Sequence, residues 1–359
     1  MGANAASARP HDARAMSDYE IAVCSPNSGE SWDTFLAHQP GATFYHLFDW
    51  TRVNRAALGH ESFYLVARRQ ESIAAVLPLT LVSGPWFGRI LCSVPFVNYG
   101  GPCGEPVACD ALMRAARALA RERHVKYLEL RCTSAFESDM HLSTRKVSMT
   151  IELDKNPDTL FNAFTSKHRT NIRRSYKNGL EVRSGGSDLL DVFYGVMEES
   201  WRRLGTPFYA RTYFETILST FPERTRIFVC ARGDEPVAVA FNGYYNGVVE
   251  GMWAGGTDAA RGLQANYALY WDMIKDACER GYSRYHLGRS TADSGAEDFK
   301  KKWNANTQQL YWYFDRPDGG AMPELNVNNP KYQAAIATWR RLPLFVTRLL
   351  GPRIARLIP

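Results

Sequence analysis

Residues 227–241 read IFVCARGDEPVAVAF, and residues 63–77 read FYLVARRQESIAAVL. Laid over each other at a constant offset of 231 − 67 = 164, the two stretches share two alanines, an arginine and a glutamate. Each stretch has two apolar runs separated by a short charged segment, which is the pattern of a β-hairpin. The chain therefore carries the same hairpin twice.

A helical stretch followed by a strand recurs behind each hairpin. The first of these strands, VKYLELR, ends at Arg131, and the second, YSRYHLGR, ends at Arg289. Tyr285 and Arg289 lie over Tyr127 and Arg131 at an offset of 158, so one connection in the second copy is shorter by 164 − 158 = 6 residues. Hairpin, helix and strand, twice in one order, predict a duplicated α/β (α+β) module with a ligand cleft between the copies.

The length of 359 residues favours two domains. We place a disordered N-terminus at residues 1–18, the first domain at 19–150, the second at 151–320, and a basic and apolar helical segment at 321–359. Residues 1–17 lack the apolar core of a secretory signal. The seven cysteines form no C-x-x-C pair and no zinc-like cluster with histidine. We therefore expect a reduced, cytoplasmic protein with no bound metal.

The net charge of +6 is unevenly distributed. Residues 166–179 (SKHRTNIRRSYKNG) contain five Lys or Arg and no acidic residue, and residues 300–302 are three consecutive lysines. Both clusters predict an anionic partner for the second domain, although a solvated helix face is an equal alternative for each. Residues 157–177 read as one helix, on which Arg169 and Arg173 lie one turn apart and could clamp a diphosphate.

A glycine-rich turn at residues 254–257 (AGGT) leads to RGLQAN at residues 261–266, which opens a helix over 267–279. The unpaired N–H groups of a helix N-terminus favour a phosphate or an oxyanion at this point. The last 33 residues, 327–359, mix Arg with Leu. They predict a helix that closes onto the first module or, alternatively, one that binds a membrane surface or a partner.

Residues 261–266 resemble the acyl-CoA-binding turn of GNAT acetyltransferases, R/Q-x-x-G-x-G/A, with Gln264 and Asn266 where that pattern has glycine. The doubled module is similar to the Fem (FemAB-like) family of aminoacyltransferases, which build peptidoglycan cross-bridges from aminoacyl-tRNA with two tandem GNAT-like domains. The matching stretches are residues 167–179, 207–214 (PFYARTYF) and 288–303 (GRSTADSGAEDFKKKW). The overall order most resembles FemAB-related proteins associated with exosortase/PEP-CTERM exopolysaccharide systems.

The resemblance implies that Lys300, in the Phe299-Lys300 pair, stabilises the tetrahedral oxyanion or the leaving group. Arg289, at the end of its strand, is a further catalytic candidate, with a salt bridge to Glu250 as its structural alternative. Asp293 and Glu297 are candidate bases. Lys302 would point away from Lys300 if this stretch is a strand. We assign substrate binding to Arg169, Arg173, Tyr209, Arg211 and Lys302, and cofactor binding to Arg261, Gln264 and Asn266.

We therefore expect an acyl- or aminoacyltransferase that forms an amide on an amino group of a cell-envelope glycan or peptidoglycan precursor. Aminoacyl-tRNA or acyl-CoA would serve as co-substrate, with no tightly bound cofactor. The helical coiled-coil arm found in some family members has no counterpart here, which weakens the case for tRNA without excluding it. Two alternatives stay open: an acetyl-CoA-dependent N-acetyltransferase in exopolysaccharide synthesis, and a non-catalytic assembly factor that binds an anionic glycolipid at the membrane.

Overall fold

The computed structural model of the chain describes residues 18–85, 88–291, 294–320 and 330–358, with the backbone alone for residues 330–332. The predicted disordered N-terminus lies outside this range except for Asp18. Within it the strands are β1 (Glu20–Val23), β2 (Glu61–Arg69), β3 (Ser72–Gly84), β4 (Gly88–Ser93), β5 (Cys103–Gly104), β6 (Tyr127–Cys132), β7 (His141–Ser143), β8 (Lys146–Glu152), β9 (Leu180–Gly185), β10 (Thr225–Arg232), β11 (Glu235–Tyr245), β12 (Val248–Gly256), β13 (Arg284–Thr291), β14 (Asn306–Gln309) and β15 (Tyr311–Asp315).

The described part of the chain also contains twelve α-helices. They are α1 (Gly29–Ala37), α2 (Trp50–Leu58), α3 (Pro106–Glu122), α4 (Pro157–Ala163), α5 (Ser166–Lys177), α6 (Leu190–Leu204), α7 (Arg211–Thr220), α8 (Ala259–Leu263), α9 (Ala265–Glu279), α10 (Gly295–Lys301), α11 (Pro330–Arg341) and α12 (Leu344–Ala355).

Two sheets define two lobes. The sheet of the first lobe has the order β1-β2-β3-β4-β6-β15-β7, with β5 paired to β3, and the sheet of the second lobe has the order β14-β8-β13-β12-β11-β10-β9. In each lobe a hairpin leads to a third strand, a helix, and a fourth strand that pairs in parallel with the third. The duplication predicted from the sequence is therefore present in the fold.

The two hairpins correspond at a different offset from the predicted one. Arg69 pairs with Ser72 in the first hairpin and Arg232 pairs with Glu235 in the second, so each turn has two residues. The structural offset is 232 − 69 = 163. The alignment at 164 was wrong by one residue because it matched the glutamates, of which Glu71 lies in its turn and Glu235 begins its strand.

One strand from the end of the second half of the chain crosses into the sheet of the first lobe. The sheet of the second lobe contains all the strands from β8 to β14, and within it β8 pairs antiparallel with β13. In the first lobe, β15 from the far end of the second half pairs antiparallel with β6. A single cut in the sequence therefore does not separate the two sheets.

A hydrophobic core runs across the junction of the lobes. Phe44 and Trp50 of the first lobe contact Phe221 of the second, at ring-centroid distances of 5.0 and 5.5 Å. Gly243 makes this approach possible, because a Cβ atom there would lie 2.5 Å from the Phe44 ring. The two lobes are thus packed as one body around any site between them.

The predicted helix over 157–177 is divided into α4 and α5. Phe164 is the C-cap of the first segment, and Thr165 is the N-cap of the second, since its side chain accepts a hydrogen bond from the His168 N–H at 3.3 Å. A threonine cap of this kind stabilises the start of a helix, typically by about 1 kcal/mol. None of the described helices is both long and apolar enough to cross a membrane.

Candidate active site

The site begins where two parallel strands of the second lobe separate. β12 and β13 are paired from Val248 opposite Arg284 to Glu250 opposite His286. Beyond that point the register shifts in the pairing of β12 with β11 and in the pairing of β13 with β8. Such bulges bend a strand and redirect its side chains. A cavity of about 320 Å³ opens between the strands at their carboxyl ends, the usual place for a ligand in an α/β sheet.

Gly288 shapes the floor of this interlobe cavity. Its φ of +77° is a left-handed conformation, and an added Cβ atom would lie 2.8 Å from the backbone oxygen of Gly251 on β12. Only glycine fits there without displacing backbone. The resulting kink turns the carbonyl groups of Gly288 and Arg289 toward the lysine on the following helix.

Lys300 reaches the cavity from α10. This helix starts at Ser294, whose side chain accepts a hydrogen bond from the Glu297 N–H. The Lys300 side chain is buried, and its Nζ donates to the carbonyl oxygens of Gly288 at 2.9 Å and Arg289 at 3.1 Å. Burial, followed by the charge of Arg289, lowers the pKa of Lys300 to about 8. A lysine ammonium has three donors, so one N–H is left for a ligand in the cavity.

Arg289 is the second cation of the cavity. Its guanidinium lies 5.0 Å from the ring centre of Trp312, and that of Arg131 lies 4.7 Å from the same ring. Burial, followed by the charge of Arg131, lowers the pKa of Arg289 to about 10. Glu129 is paired with Arg131, Glu250 accepts hydrogen bonds from a tyrosine hydroxyl, and no carboxylate of the described residues pairs with Arg289. An unpaired cation at this position favours an anionic ligand group.

The remaining walls of the cavity are largely aromatic. Asn98 donates to the Tyr45 hydroxyl at 3.0 Å, and the Tyr285 hydroxyl donates to Asn242 at 2.9 Å. Tyr45, Phe96 and Asn98 belong to the first lobe, so the cavity lies between the lobes. The aromatic residues that line it are Tyr45, Phe96, Trp201, Tyr209, Trp253, Tyr270 and Tyr285.

A second, more open groove of about 570 Å³ lies beside the cavity and is named here the Arg261 groove. It is lined by Gly255, Gly256 and the predicted cofactor-binding residues Arg261, Gln264 and Asn266. Ala254 and Tyr270 line both spaces, which makes them neighbours.

Gln264 has an unusual backbone at the junction of α8 and α9. Its φ is +60°, the left-handed conformation that glycine adopts without cost. Gln264 stands where the GNAT pattern has a glycine, and its backbone has a conformation that favours glycine. Its Oε1 atom is buried and has no hydrogen-bond donor among the described residues.

The corresponding place in the first lobe is filled. β4 and β6 are paired from Ile90 opposite Tyr127 to Ser93 opposite Leu130, with no change of register. Arg131, the counterpart of Arg289, forms an ion pair with Glu129 at 2.7 Å and donates to two carbonyl oxygens of the segment that follows β4. The cavity is therefore formed on the second lobe, and the same segment of the first lobe supplies Phe96 and Asn98 to its wall.

Four predicted site residues are positioned away from the cavity. Arg169 donates to the carbonyl oxygens of Asn162 and Phe164 and so secures the junction of α4 and α5. Arg173 is exposed and lies over the Phe161 ring at 5.1 Å. Arg211 is half-buried and pairs with Asp191 at 2.8 Å and with Glu215 at 3.1 Å. Lys302 is exposed and caps α10.

The other predictions divide as follows. Tyr209, Lys300 and Arg289 are brought together at the cavity. Asp293 lies outside the described residues, and Glu297 is buried and forms an ion pair with Lys301 at 2.9 Å. Lys300 lies in helix α10 and Lys302 is its C-cap, so the condition that this stretch is a strand is not met.

Sequence reasoning missed Tyr45, Asn98, Asn242, Trp253 and Tyr285. Their positions depend on how the lobes dock and on the register of β11, which no local pattern records. Residues 98–106 (NYGGPCGEP) are rich in glycine and proline, and this composition is the one signal in the sequence that points to the loop containing Asn98.

Comparison with known proteins agrees with this geometry. Residues 166–301 match the family model of the acetyltransferase (GNAT) domain, so the second lobe carries an acyltransferase domain. The chain is 29% identical over 163 residues to the UDP-N-acetylmuramoylpentapeptide-lysine N(6)-alanyltransferase of Weissella viridescens. That match covers 44% of this chain, and the chain spans about half (48%) of the length of this curated relative.

Two solved structures have the same fold. FemX superposes with a TM-score of 0.62 at 16% identity, over 88% of this chain and all of FemX. A tandem GNAT protein from the clavulanic acid biosynthesis pathway superposes with a TM-score of 0.54 at 11% identity, over 85% of this chain and all of that one. The predicted fold class, two tandem GNAT-like acyltransferase domains of α/β type, is confirmed.

Proposed function

We propose that the protein is an aminoacyltransferase that forms an amide on a primary amine of a phosphate-linked cell-envelope precursor. The observation that carries the proposal is the interlobe cavity with Lys300 and Arg289, contiguous with the Arg261 groove at Ala254 and Tyr270. A two-substrate acyl transfer needs two binding spaces that meet at the reacting carbonyl. The groove would take the donor and the cavity the acceptor.

Lys300 is the proposed oxyanion stabiliser. When the acceptor amine attacks the ester carbonyl of the aminoacyl-tRNA, negative charge develops on the carbonyl oxygen. Collapse of this intermediate forms the amide and breaks the ester C–O bond, and the tRNA hydroxyl leaves with the proton lost by the amine. The free N–H of Lys300 can donate to that oxygen, and the two carbonyl groups that hold Nζ fix its direction in advance. Arg289, which lacks a carboxylate partner among the described residues, would bind an anionic group of the substrate.

The choice of an aminoacyl donor is supported by two observations. The curated relative is by its name an alanyltransferase. Gln264 and Asn266 also replace the glycines of the acyl-CoA turn, and their side chains leave a pyrophosphate less space to reach the backbone N–H groups. An envelope exopolysaccharide as the final acceptor, and Asp293 as the base, stay predictions.

The test is a transfer assay with the purified chain. Two reactions are run, one with a mixture of labelled aminoacyl-tRNAs as the donor and one with acetyl-CoA as the donor. The acceptor in both reactions is a UDP-linked muramoyl pentapeptide with a side chain that ends in a primary amine. The product is followed by mass spectrometry. We expect an aminoacyl mass increment on the acceptor. Transfer from acetyl-CoA alone would show that acetyl-CoA, and not aminoacyl-tRNA, is the donor. If the protein is folded and neither donor gives a product, the proposal is refuted.

Two variants connect the assay to the cavity. Lys300→Met should lower kcat/KM by roughly 10²–10³-fold, the usual loss on removal of one oxyanion donor. Lys275→Met removes an exposed lysine of α9, which pairs with Glu279 at 3.8 Å, and serves as the matched control. Equal activity of the two variants would remove Lys300 from the site.

A further inference from the structure

The C-terminal helix α12 exposes an apolar face. Phe345, Leu349 and Leu350 are 72%, 60% and 38% exposed, and Ile358 beyond the helix is 40% exposed. These are four of the nine large hydrophobic side chains that are exposed in the described part of the chain, within 14 residues. Thr347, Gly351 and Ala355 form the buried face of the same helix. A surface helix normally has the opposite arrangement, with polar residues outward.

The C-terminal segment that contains α12 also accounts for the net charge of the protein. Residues 325–359 contain six Lys or Arg and no Asp or Glu, which gives +6, and the whole chain has a net charge of +6. The rest of the chain is therefore balanced. Arg353 and Arg356 are exposed and, at 3.6 residues per turn, lie on the same side of α12 as Leu349.

The helix is held against both lobes. Arg348 forms a two-pronged ion pair with the buried Glu198 of α6, the shortest distance being 2.7 Å. Gly351 lies against the backbone of Phe208, where an added Cβ would be 3.2 Å from the carbonyl oxygen. His60 of the first lobe contacts the Arg356 carbonyl at 2.7 Å. The outward face is thus presented by a fixed helix, which packs directly behind the segment that carries Tyr209 of the cavity.

We propose that this face, formed by Phe345, Leu349, Leu350, Arg353 and Arg356, binds the surface of an anionic phospholipid membrane. The apolar side chains would enter the interface, and the two guanidinium groups would pair with lipid phosphates. An exposed helix that carries arginines and no acidic residue is complementary to a negatively charged layer of phosphates. The proposal concerns attachment and does not depend on the transfer reaction.

The test uses the full chain and vesicles of phosphatidylcholine alone or mixed with phosphatidylglycerol, in a flotation assay at low and at raised salt. We expect binding to the anionic vesicles that weakens with salt. Arg353→Gln/Arg356→Gln should weaken it about thirtyfold, at about 1 kcal/mol per arginine. Phe345→Ser/Leu349→Ser should weaken binding about a hundredfold, because the inserted apolar area is lost.

The matched control is Lys167→Gln/Arg174→Gln, which removes two exposed charges from α5. It should bind as the unmodified chain does. An equal loss in this control would show that binding follows total charge and would overturn the proposal, as would absence of binding to anionic vesicles. Should a variant fail to fold, hydrogen exchange of the unmodified chain decides: the amides of α12 must become protected when anionic vesicles are added, and unchanged exchange refutes the assignment.

Discussion

Lys300 should give the enzyme an upper pH limit. Only the charged form of Lys300 can neutralise an oxyanion, and burial lowers its pKa from 10.5 to about 8. We therefore expect kcat/KM to fall as pH rises above about 8, by tenfold for each further pH unit, since a single proton is lost. Lys300→Arg keeps a cation that does not titrate in this range, so its lower activity should lose this inflection. An inflection that persists in Lys300→Arg would assign the titration to another group.

The same pKa makes a prediction about stability. The folded protein releases the Lys300 proton at about pH 8, whereas the unfolded chain keeps it to about 10.5, so the unfolded state binds more protons between these values. Stability should therefore increase with pH across this window, by about 3 kcal/mol in total, as the cost of the buried charge is removed. Below pH 8 that cost is fully present.

Urea unfolding of the wild type and of Lys300→Met at pH 7 and pH 10 measures this difference. The variant has no buried charge but leaves the carbonyl groups of Gly288 and Arg289 without their donor. The gain of the wild type relative to the variant should approach about 2–3 kcal/mol between the two pH values. A difference that does not change with pH would show that Lys300 is solvated in solution, and the reasoning from its burial would fail.

Three further predictions concern the scaffold of the site. Gly288→Ala should destabilise the protein by about 2–4 kcal/mol in thermal unfolding, because φ is +77° and the Cβ would lie 2.8 Å from the Gly251 oxygen; a smaller change would contradict the rigidity of the floor. Gln264→Gly should be about 1 kcal/mol more stable than Gln264→Ala, since only glycine adopts φ +60° without cost, and equal stabilities would contradict this. Glu198→Gln should lower the free energy of unfolding by about 1–2 kcal/mol, because the ion pair with Arg348 is lost. It should also make α12 more accessible to trypsin, and an unchanged rate of proteolysis would refute this prediction.

The order of elements was predictable because each element is encoded locally. Two apolar runs around a charged turn, a helix and a strand recur in both halves, and the fold contains them in that order. The register was less accessible. Alignment of identical residues in the two hairpins gives an offset of 164. The hydrogen-bonded pairing of the strands, which depends on the two-residue turns, gives an offset of 163. Turn geometry, which fixes hairpin register, overrides a chance match of side chains.

The charge clusters illustrate why the site was predicted in part. Arg169 and Arg173 have the right spacing for an anion clamp, but spacing does not show whether a guanidinium is already occupied. Arg169 is occupied by two carbonyl oxygens at a helix junction that exists because Thr165 starts a new helix. Lys300 and Arg289 reach the cavity because a bulge and a short helix direct them there. That direction is a tertiary property, which residue type alone cannot supply.

One inserted residue distinguishes the second lobe, which has a cavity where its parallel strands separate, from the first lobe, where Arg131 fills the corresponding place. The helix ends correspond at an offset of 281 − 124 = 157, with His124 and Gly281 both at positive φ, whereas Arg131 and Arg289 correspond at 289 − 131 = 158. The extra residue is the bulge between His286 and Arg289, opposite β8; β6 has no bulge opposite β15. Without it, Arg131 stays in line and pairs with Glu129. With it, the strand turns away from β12, and Leu287 rather than a glutamate stands two residues before Arg289. The local change in ladder register and this difference in sequence together separate a structural arginine from a candidate binding residue.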